Sequence, residues 1–318
     1  MKVANTTSDA EKLCQAVLHH LHPCLWNDRR NAQTLAWMVT GLLQTASVNL
    51  PEWTSFVISK AKFAQSTERR FIRWLENNAI HPTTLYGPLI LQALRHWGTQ
   101  RLVLALDTSL LFLRKTGPKT VWGLARFEQF CLIRVAVLYR GRAVPLCWKV
   151  IEHRSAQVGM EQLQPVLAEV KGVLDYLGQQ DVLVLADRGF VDVDLLRCFR
   201  ACGWQYRIRL KAHLSVFSPL GAKLGKVSDV QLTHGTAKFY HHVHLTNEQF
   251  GPVHLACAHL NGARESWLVV SSEKTNLDTL EEYQRRFEIE QGFLDDKIKA
   301  VASIWRIRGY GMPRCWTV

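Results

Sequence analysis

Leu102-Val103-Leu104-Ala105-Leu106-Asp107 is five apolar residues in a row, stopped by an acid. The run is short and unbroken. That predicts a strand buried on both faces, ending at Asp107. The pattern returns in Val182–Ala186, which ends at Asp187. Between them, Cys131–Tyr139 and Ala143–Val150 predict two more strands. The turn Tyr139-Arg140-Gly141-Arg142 joins these two into a hairpin. Val158–Leu177 and Val191–Cys202 predict helices. Trp204–Lys211 predicts a fifth strand, in which Arg207, Arg209 and Lys211 alternate with Ile208 and Leu210. It would carry one basic and one apolar face. Three strands, helix, strand, helix, strand is an α/β order, and in open α/β sheets sites gather at the strand ends.

Around this core the chain changes character. Residues 1–98 predict helices: Leu13, Val17, Leu18 and Leu21 keep a helical period, as do Phe71, Ile72, Trp74 and Leu75. Thr34–Leu50 is apolar but interrupted by Gln44, Ser47 and Asn49. It falls short of a membrane span of ~20 residues and reads as a buried helix. Ser66–Asn77 opens on Ser and Thr capping candidates and carries Arg69, Arg70 and Arg73. With Lys60 and Lys62 these make a candidate DNA-contacting region, or an ordinary solvated face. Residues 99–211 hold the first part of the core. Residues 212–272 lack a helical period and contain three strand-like runs, Lys238–Leu245, Val253–Ala258 and Ser266–Val270, so they predict a β-rich insertion. Residues 273–300 hold the last helix, about 277–300, with Asn276 as its cap. Residues 301–318 form an atypical tail.

The net charge of +12 is spread along the chain, without a basic tail. That favours a folded protein with a polyanionic partner, most simply nucleic acid. Eight cysteines without a C-x-x-C predict reduced thiols in the cytosol. Cys198 and Cys202 lack a second ligand pair at zinc spacing and predict packing. The N-terminus has no apolar signal segment. Gly221–Lys226 is one residue short of a phosphate-binding loop and is rejected. His241, His242 and His244 predict a polar strand face on which only His242 and His244 share a side.

The last helix carries a second pattern. Tyr283, Arg286, Glu290 and Lys297 are offset by three, four and seven residues, which puts all four on one helical face. An apolar stripe, Leu280, Phe287, Leu294 and Ile298, runs beside it. The helix would bury the stripe and aim the charged row outward. Three separated carboxylates, Asp107, Asp187 and Glu290, suit two divalent ions, Mg²⁺ or Mn²⁺, which prefer oxygen ligands. Such a pair clamps the attacking and leaving oxygens of a phosphodiester. Asp107 would be shared, Asp187 and Glu290 would complete one ion each, and Arg286 and Lys297 would hold phosphates. Each acid also has a plain structural reading: a strand-end turn at Asp107, a turn closed by an ion pair at Asp187-Arg188-Gly189, a helical ion pair at Glu290.

These residues together resemble the DDE transposases of bacterial insertion sequences. Tyr283, Arg286, Glu290 and Lys297 match the signature Y-x2-R-x3-E-x6-K of insertion-sequence family four without a gap. Leu104–Ser109 resembles the family's first-acid strand, Leu185–Phe190 its second, and Trp204–Lys211 the strand after it, so the likeness covers about residues 25–300. The resemblance implies a ribonuclease H-like mixed sheet with helices on both faces and a β insertion before the glutamate. It implies cut-and-paste transposition on double-stranded DNA, at terminal inverted repeats and a target, by a homodimer in a synaptic complex. The expected location is cytoplasmic, at the bacterial nucleoid, with no membrane. Tyr283 and Arg286 would steady phosphates near the cleaved end. Arg188, Arg207, Arg209, Lys211, Arg69, Arg70 and Arg73 are further candidate DNA contacts. Relatives continue well past the signature lysine, whereas 21 residues remain here, with Gly309, Gly311 and Pro313 among them. The expectation is a frameshift or early stop; a family-like helical frame beyond the stop codon would bear it out. Two alternatives stand beside an active transposase: a DNA-binding remnant that occupies the repeats, and a metal-dependent nuclease that does not join strands.

Overall fold

The computed structural model describes residues 3–21, 26, 28–47, 49–58, 63–96, 101–115, 126–259 and 265–295. Four helices open the chain: α1 (Val3–His20), α2 (Arg29–Thr45), α3 (Leu50–Trp53) and α4 (Ala64–Leu75). They share their own core of Cys14, Trp37, Met38, Leu50, Trp53 and Phe71. Asp28 caps α2 by accepting from the Arg30 backbone N–H at 2.8 Å. Ala46, at φ 47°, stops α2, so the apolar stretch expected as one helix to Leu50 is broken before α3. The fourth helix starts two residues ahead of the expected Ser66, and Thr67 is buried rather than capping.

Gly41 lets α2 approach α3. A Cβ there would stand 2.4 Å from Trp53 Cβ, and both are backbone-proximal atoms that cannot swing aside. Gly41→Ala should therefore cost about 1–3 kcal/mol by overpacking, read as a lower melting temperature.

Helix α5 (Pro82–His96) leads to the sheet. Strands β1 (Leu102–Lys115), β2 (Arg126–Tyr139) and β3 (Arg142–Glu152) are antiparallel neighbours. Arg140 and Gly141 both have positive φ, 50° and 73°, as a two-residue hairpin turn with the right twist requires. Helix α6 (Met160–Tyr176) then crosses to β4 (Val182–Ala186), and α7 (Val193–Ala201) to β5 (Gln205–Arg209). Strand β4 lies parallel to β1 and β5 parallel to β4, which is why each needs a helical crossover.

The β-rich stretch follows as β6 (Ser215–Phe217), β7 (Lys223–Lys226), β8 (Thr236–Leu245), β9 (Phe250–His259) and β10 (Trp267–Ser271). These five continue the same sheet, because β10 pairs antiparallel with β5. The full order is β3-β2-β1-β4-β5-β10-β9-β8-β6-β7. The chain is thus α/β with one large mixed sheet.

Helix α8 (Leu277–Gln284), a 3₁₀ turn (Arg285–Phe287) and α9 (Glu288–Asp295) come last. Asn276 caps α8 as expected, accepting from Thr279 N–H at 3.1 Å. Two cores separate the layers. On one face Leu104, Leu106, Val184, Tyr206 and Ile208 pack with α5, α6 and α7. On the other, Val103, Ala105, Leu183 and Leu185 pack with Ile289 of α9.

Several boundaries differ from expectation. Strand β1 does not end at Asp107 but runs eight residues further, because β2 still pairs with it beyond the reach of β4. The C-terminal helix is not uniform; it tightens to a 3₁₀ turn at Arg285–Phe287. A bulge between Tyr240 and Val243, with His242 at φ 57°, breaks the strand alternation. It brings both His241 and His242 against His254, correcting the reading that paired His242 with His244. The tail 301–318, Lys297, Lys60 and Lys62 lie outside the described residues. Among the described residues no helix is long and apolar enough to cross a membrane, and the six cysteines are free thiols.

Candidate active site

Strand alternation fixes where the first two acids point. Val103 and Ala105 face the second core, so Asp107 faces the same way; Leu183 and Leu185 do the same for Asp187. The register pairs Leu106 with Ala186. Asp107 and Asp187 are therefore the next residues on two parallel neighbours, level with each other where the strands part. Helix α9 lies over this face through Ile289 and brings Glu290 to it.

One side chain ties the three elements together. Arg286 is 4% exposed. Its Nη1 donates to Asp107 Oδ2 at 3.2 Å and its Nη2 to Glu290 Oε1 at 2.7 Å. The guanidinium also lies over the Phe287 ring, 4.7 Å from the centroid. Burial opposes its charge, but Tyr283, Asp107, Asp187 and Glu290 more than offset that, and its pKa sits above the ordinary arginine value. Tyr283 is buried with its ring edge-on to Trp267 and its hydroxyl by Arg286. Burial pushes that hydroxyl up to about 12.

Asp107 is the perturbed acid. Burial pushes its carboxyl up to about 6, against the pull of Arg286 and of the Thr108 N–H; the charges of Asp187 and Glu290 push the same way as burial. Asp187 is free of local duties. The Phe190 N–H takes its backbone carbonyl at 2.9 Å, its carboxylate caps nothing, and Arg188 turns to Glu265 instead. The ion-paired turn that could have explained Asp187 is not formed. Glu290 does make its helical ion pair, with Arg286.

The signature row is therefore split: Tyr283 and Arg286 are turned inward, while Glu290 stays exposed. Leu280, Tyr283, Arg286 and Ile289 are buried, while Phe287 of the expected apolar stripe is partly exposed. Arg286 packs because Asp107 on the sheet supplies its counter-charge. Among the described residues no three acids, histidines or cysteines converge tightly enough to hold a metal ion, and Arg286 stands between Asp107 and Glu290.

The comparisons add nothing to this geometry. No protein-family model matches the chain, and no curated protein does.

The other candidates divide. Arg207 is 3% exposed and bound to Glu273 at 2.8 Å and Glu282 at 3.0 Å, so it anchors α8 to β5 and lacks the exposure a phosphate contact needs. Arg209 and the exposed Arg188 share Glu265. Lys211 lines a separate cleft with Gln157 and Phe190. On α4, Arg69 and Arg73 are exposed, while Arg70 is half-buried with Nε and Nη2 lacking hydrogen-bond partners. The three do not form one face.

Sequence reading passed over Arg134. It is the one charge in the run Cys131–Tyr139, and that was the available signal. It is buried on β2, directly across the ladder from Asp107.

Proposed function

We propose that the chain is a DDE-type transposase with a ribonuclease H-like core, which cleaves and joins DNA at terminal inverted repeats. Two aspartates level with each other where the parallel strands β1 and β4 part, with a glutamate on the helix over the same face, are the support for it. The strand order β3-β2-β1-β4-β5, with β2 antiparallel and β4 and β5 parallel to β1, is compatible with such a core.

The donor set suits Mg²⁺ or Mn²⁺. It is all carboxylate oxygen, and burial, with the charges of Asp187 and Glu290 added, keeps the Asp107 carboxyl near 6 against the pull of Arg286. Asp107, Asp187 and Glu290 are the residues that would hold the ions. Bound there, the ions would activate water or a 3′-hydroxyl and offset charge on the departing oxygen. The chain's own groups do the rest. Strands β1 and β4 fix the two aspartates on rigid backbone. Arg207 holds α8, and through it Glu290, to the sheet. Arg188 and Arg209 offer guanidinium groups to the DNA phosphates, while Arg286 holds Asp107 and Glu290 together. The partners under this reading are double-stranded repeat and target DNA and a second copy of the chain, in the bacterial cytoplasm.

Labelled duplex carrying the repeats that flank the gene, with Mg²⁺ or Mn²⁺, tests it. Cleavage at the repeat end, abolished by Asp187→Asn, is expected. Strand joining in the same reaction distinguishes a transposase from a nuclease. Binding that weakens steeply with salt, without cleavage under any condition, would sink the catalytic reading in favour of a DNA-occupying remnant.

A further inference from the structure

We propose that the β6–β7 hairpin is an apolar wedge that pries open a base step of duplex DNA, away from the acid-bearing strand ends. The inference rests on the DNA-binding reading of the chain. Leu220, at the hairpin tip, is 96% exposed, and Leu224 on β7 is 60% exposed. Single exposed leucines are ordinary on protein surfaces. These two differ in what holds them and in what stands beside them. The tip is braced by its own backbone. The Ser218 N–H donates to the Ala222 carbonyl at 2.8 Å, the Gly221 N–H to the Ser218 carbonyl at 3.0 Å, and the Ala222 N–H to Ser218 Oγ at 3.1 Å. Gly221 turns the chain at φ 82°. At the base of the hairpin Val216, Phe217 and Val227 are buried, and β6 is paired with β8. A fixed frame therefore holds Leu220 out in water.

The charges beside it select the partner. Lys223 and Lys226 are exposed on β7, and neither ammonium is in an ion pair among the described residues. Asp229 follows them, with one carboxylate oxygen taking the Lys226 backbone N–H at 2.7 Å. Proteins that kink duplex DNA push a few apolar side chains between base steps, while cations hold the phosphates alongside. A membrane surface asks for more apolar area: even a single myristoyl chain anchors only marginally, and two leucines offer less. A protein partner fits poorly too, because lysine is depleted from protein interfaces. The strand order puts β7 at the outer edge, six ladder steps from β4. At ~4.8 Å a step that is roughly 29 Å across the sheet. The opened step would lie outside the base pairs held at Asp107 and Asp187.

The test uses the full chain at saturating concentration on repeat-end duplexes that carry 2-aminopurine at successive steps. This base brightens when it is unstacked. One step away from the cleaved end should brighten with the wild type. Leu220→Ala should lose the brightening and keep the wild-type melting temperature, because its exposed side chain supports nothing in the fold. Leu220→Met keeps an apolar wedge and should keep the signal. Lys223→Gln and Lys226→Gln should each flatten the salt dependence of binding by about one charge. Duplex bound with no step brightened, or with brightening that Leu220→Ala leaves intact, would overturn the wedge and leave DNA binding standing. A salt dependence unchanged in both lysine variants would refute the phosphate contacts, and the proposal with them. No duplex bound by the wild type would overturn the wedge and the DNA-binding reading together. Binding to anionic phospholipid vesicles in place of duplex, lost in Leu220→Ala, would give the tip to a membrane surface and refute the wedge.

Discussion

Asp107→Asn should abolish cleavage and, at neutral pH, make the protein more stable. The two effects share one cause. The folded-state carboxyl sits at about 6, against 3.8 for an ordinary aspartate. Below about pH 4 the group is protonated whether folded or unfolded, and it contributes nothing. Between 3.8 and 6 the unfolded chain gives up its proton while the folded chain keeps it, so stability falls as pH rises. Above 6 the whole loss is present, about 3 kcal/mol at roughly 1.4 kcal/mol per pH unit. The asparagine variant cannot ionise and escapes that loss. It should melt close to the wild type at pH 4 and clearly above it at pH 7.5, while under the proposed function cleavage drops roughly a thousandfold or more. Melting curves across pH 4–8, with and without Mg²⁺, check the sign. If wild type and variant keep a constant gap at all pH values, Asp107 is not the strained acid described.

Arg207→Ala should be among the most destabilising single substitutions in the chain. Removing the cation leaves Glu273 and Glu282 facing each other across the β5–α8 contact, although Arg101 still holds Glu273. Breaking a buried ion pair from one side costs about 3–5 kcal/mol. The two carboxylates keep about a third of their exposure (36% and 34%), so solvent screening reduces the loss to about 2–4 kcal/mol. That corresponds to a melting temperature lower by roughly 3–6 °C. Cleavage should fall in parallel, since α8 carries the helix that delivers Glu290. A phosphate-contacting arginine behaves otherwise: stability holds, and the salt dependence of DNA binding flattens by about one charge. Double substitution of Arg207 and Glu282 by Met and Leu should recover part of the stability, because two apolar groups leave no stranded charge.

Local sequence carried the parts of this structure that depend on local burial. Val182–Ala186 is buried at all five positions, and its strand is legible to the residue. The Asn276 cap and the Arg140-Gly141 turn were legible for the same reason, since each is settled by adjacent residues. What escaped depends on distant partners. The basic face of β5 is readable as alternation, but nothing nearby says that Glu273 and Glu282, 66 and 75 residues on, will cover Arg207. The row Tyr283, Arg286, Glu290 reads as an outward charged stripe until Asp107, 179 residues before Arg286, supplies its counter-charge. The continuation of β1 past Asp107 needs β2 beside it, and the clustering of His241, His242 and His254 needs a bulge that breaks the period of two. The positions of Asp107 and Asp187 followed from sequence; the arginine standing between Asp107 and Glu290 did not.

The placement of β10 against β5 also sets how the molecule can come apart. A β-rich segment on the rim of a domain can hinge or be trimmed away. Here the ladder runs unbroken from the acid-bearing strands through β5 and β10 to β9 and β8. Cutting out residues 212–272 would bare β5 as an open edge, ready to pair with another chain, and would remove the strand leading into α8. The segment and the acid-bearing strands should then unfold as one cooperative unit, and hydrogen exchange should find a common slow rate for the amide protons of β4, β5, β10 and β9.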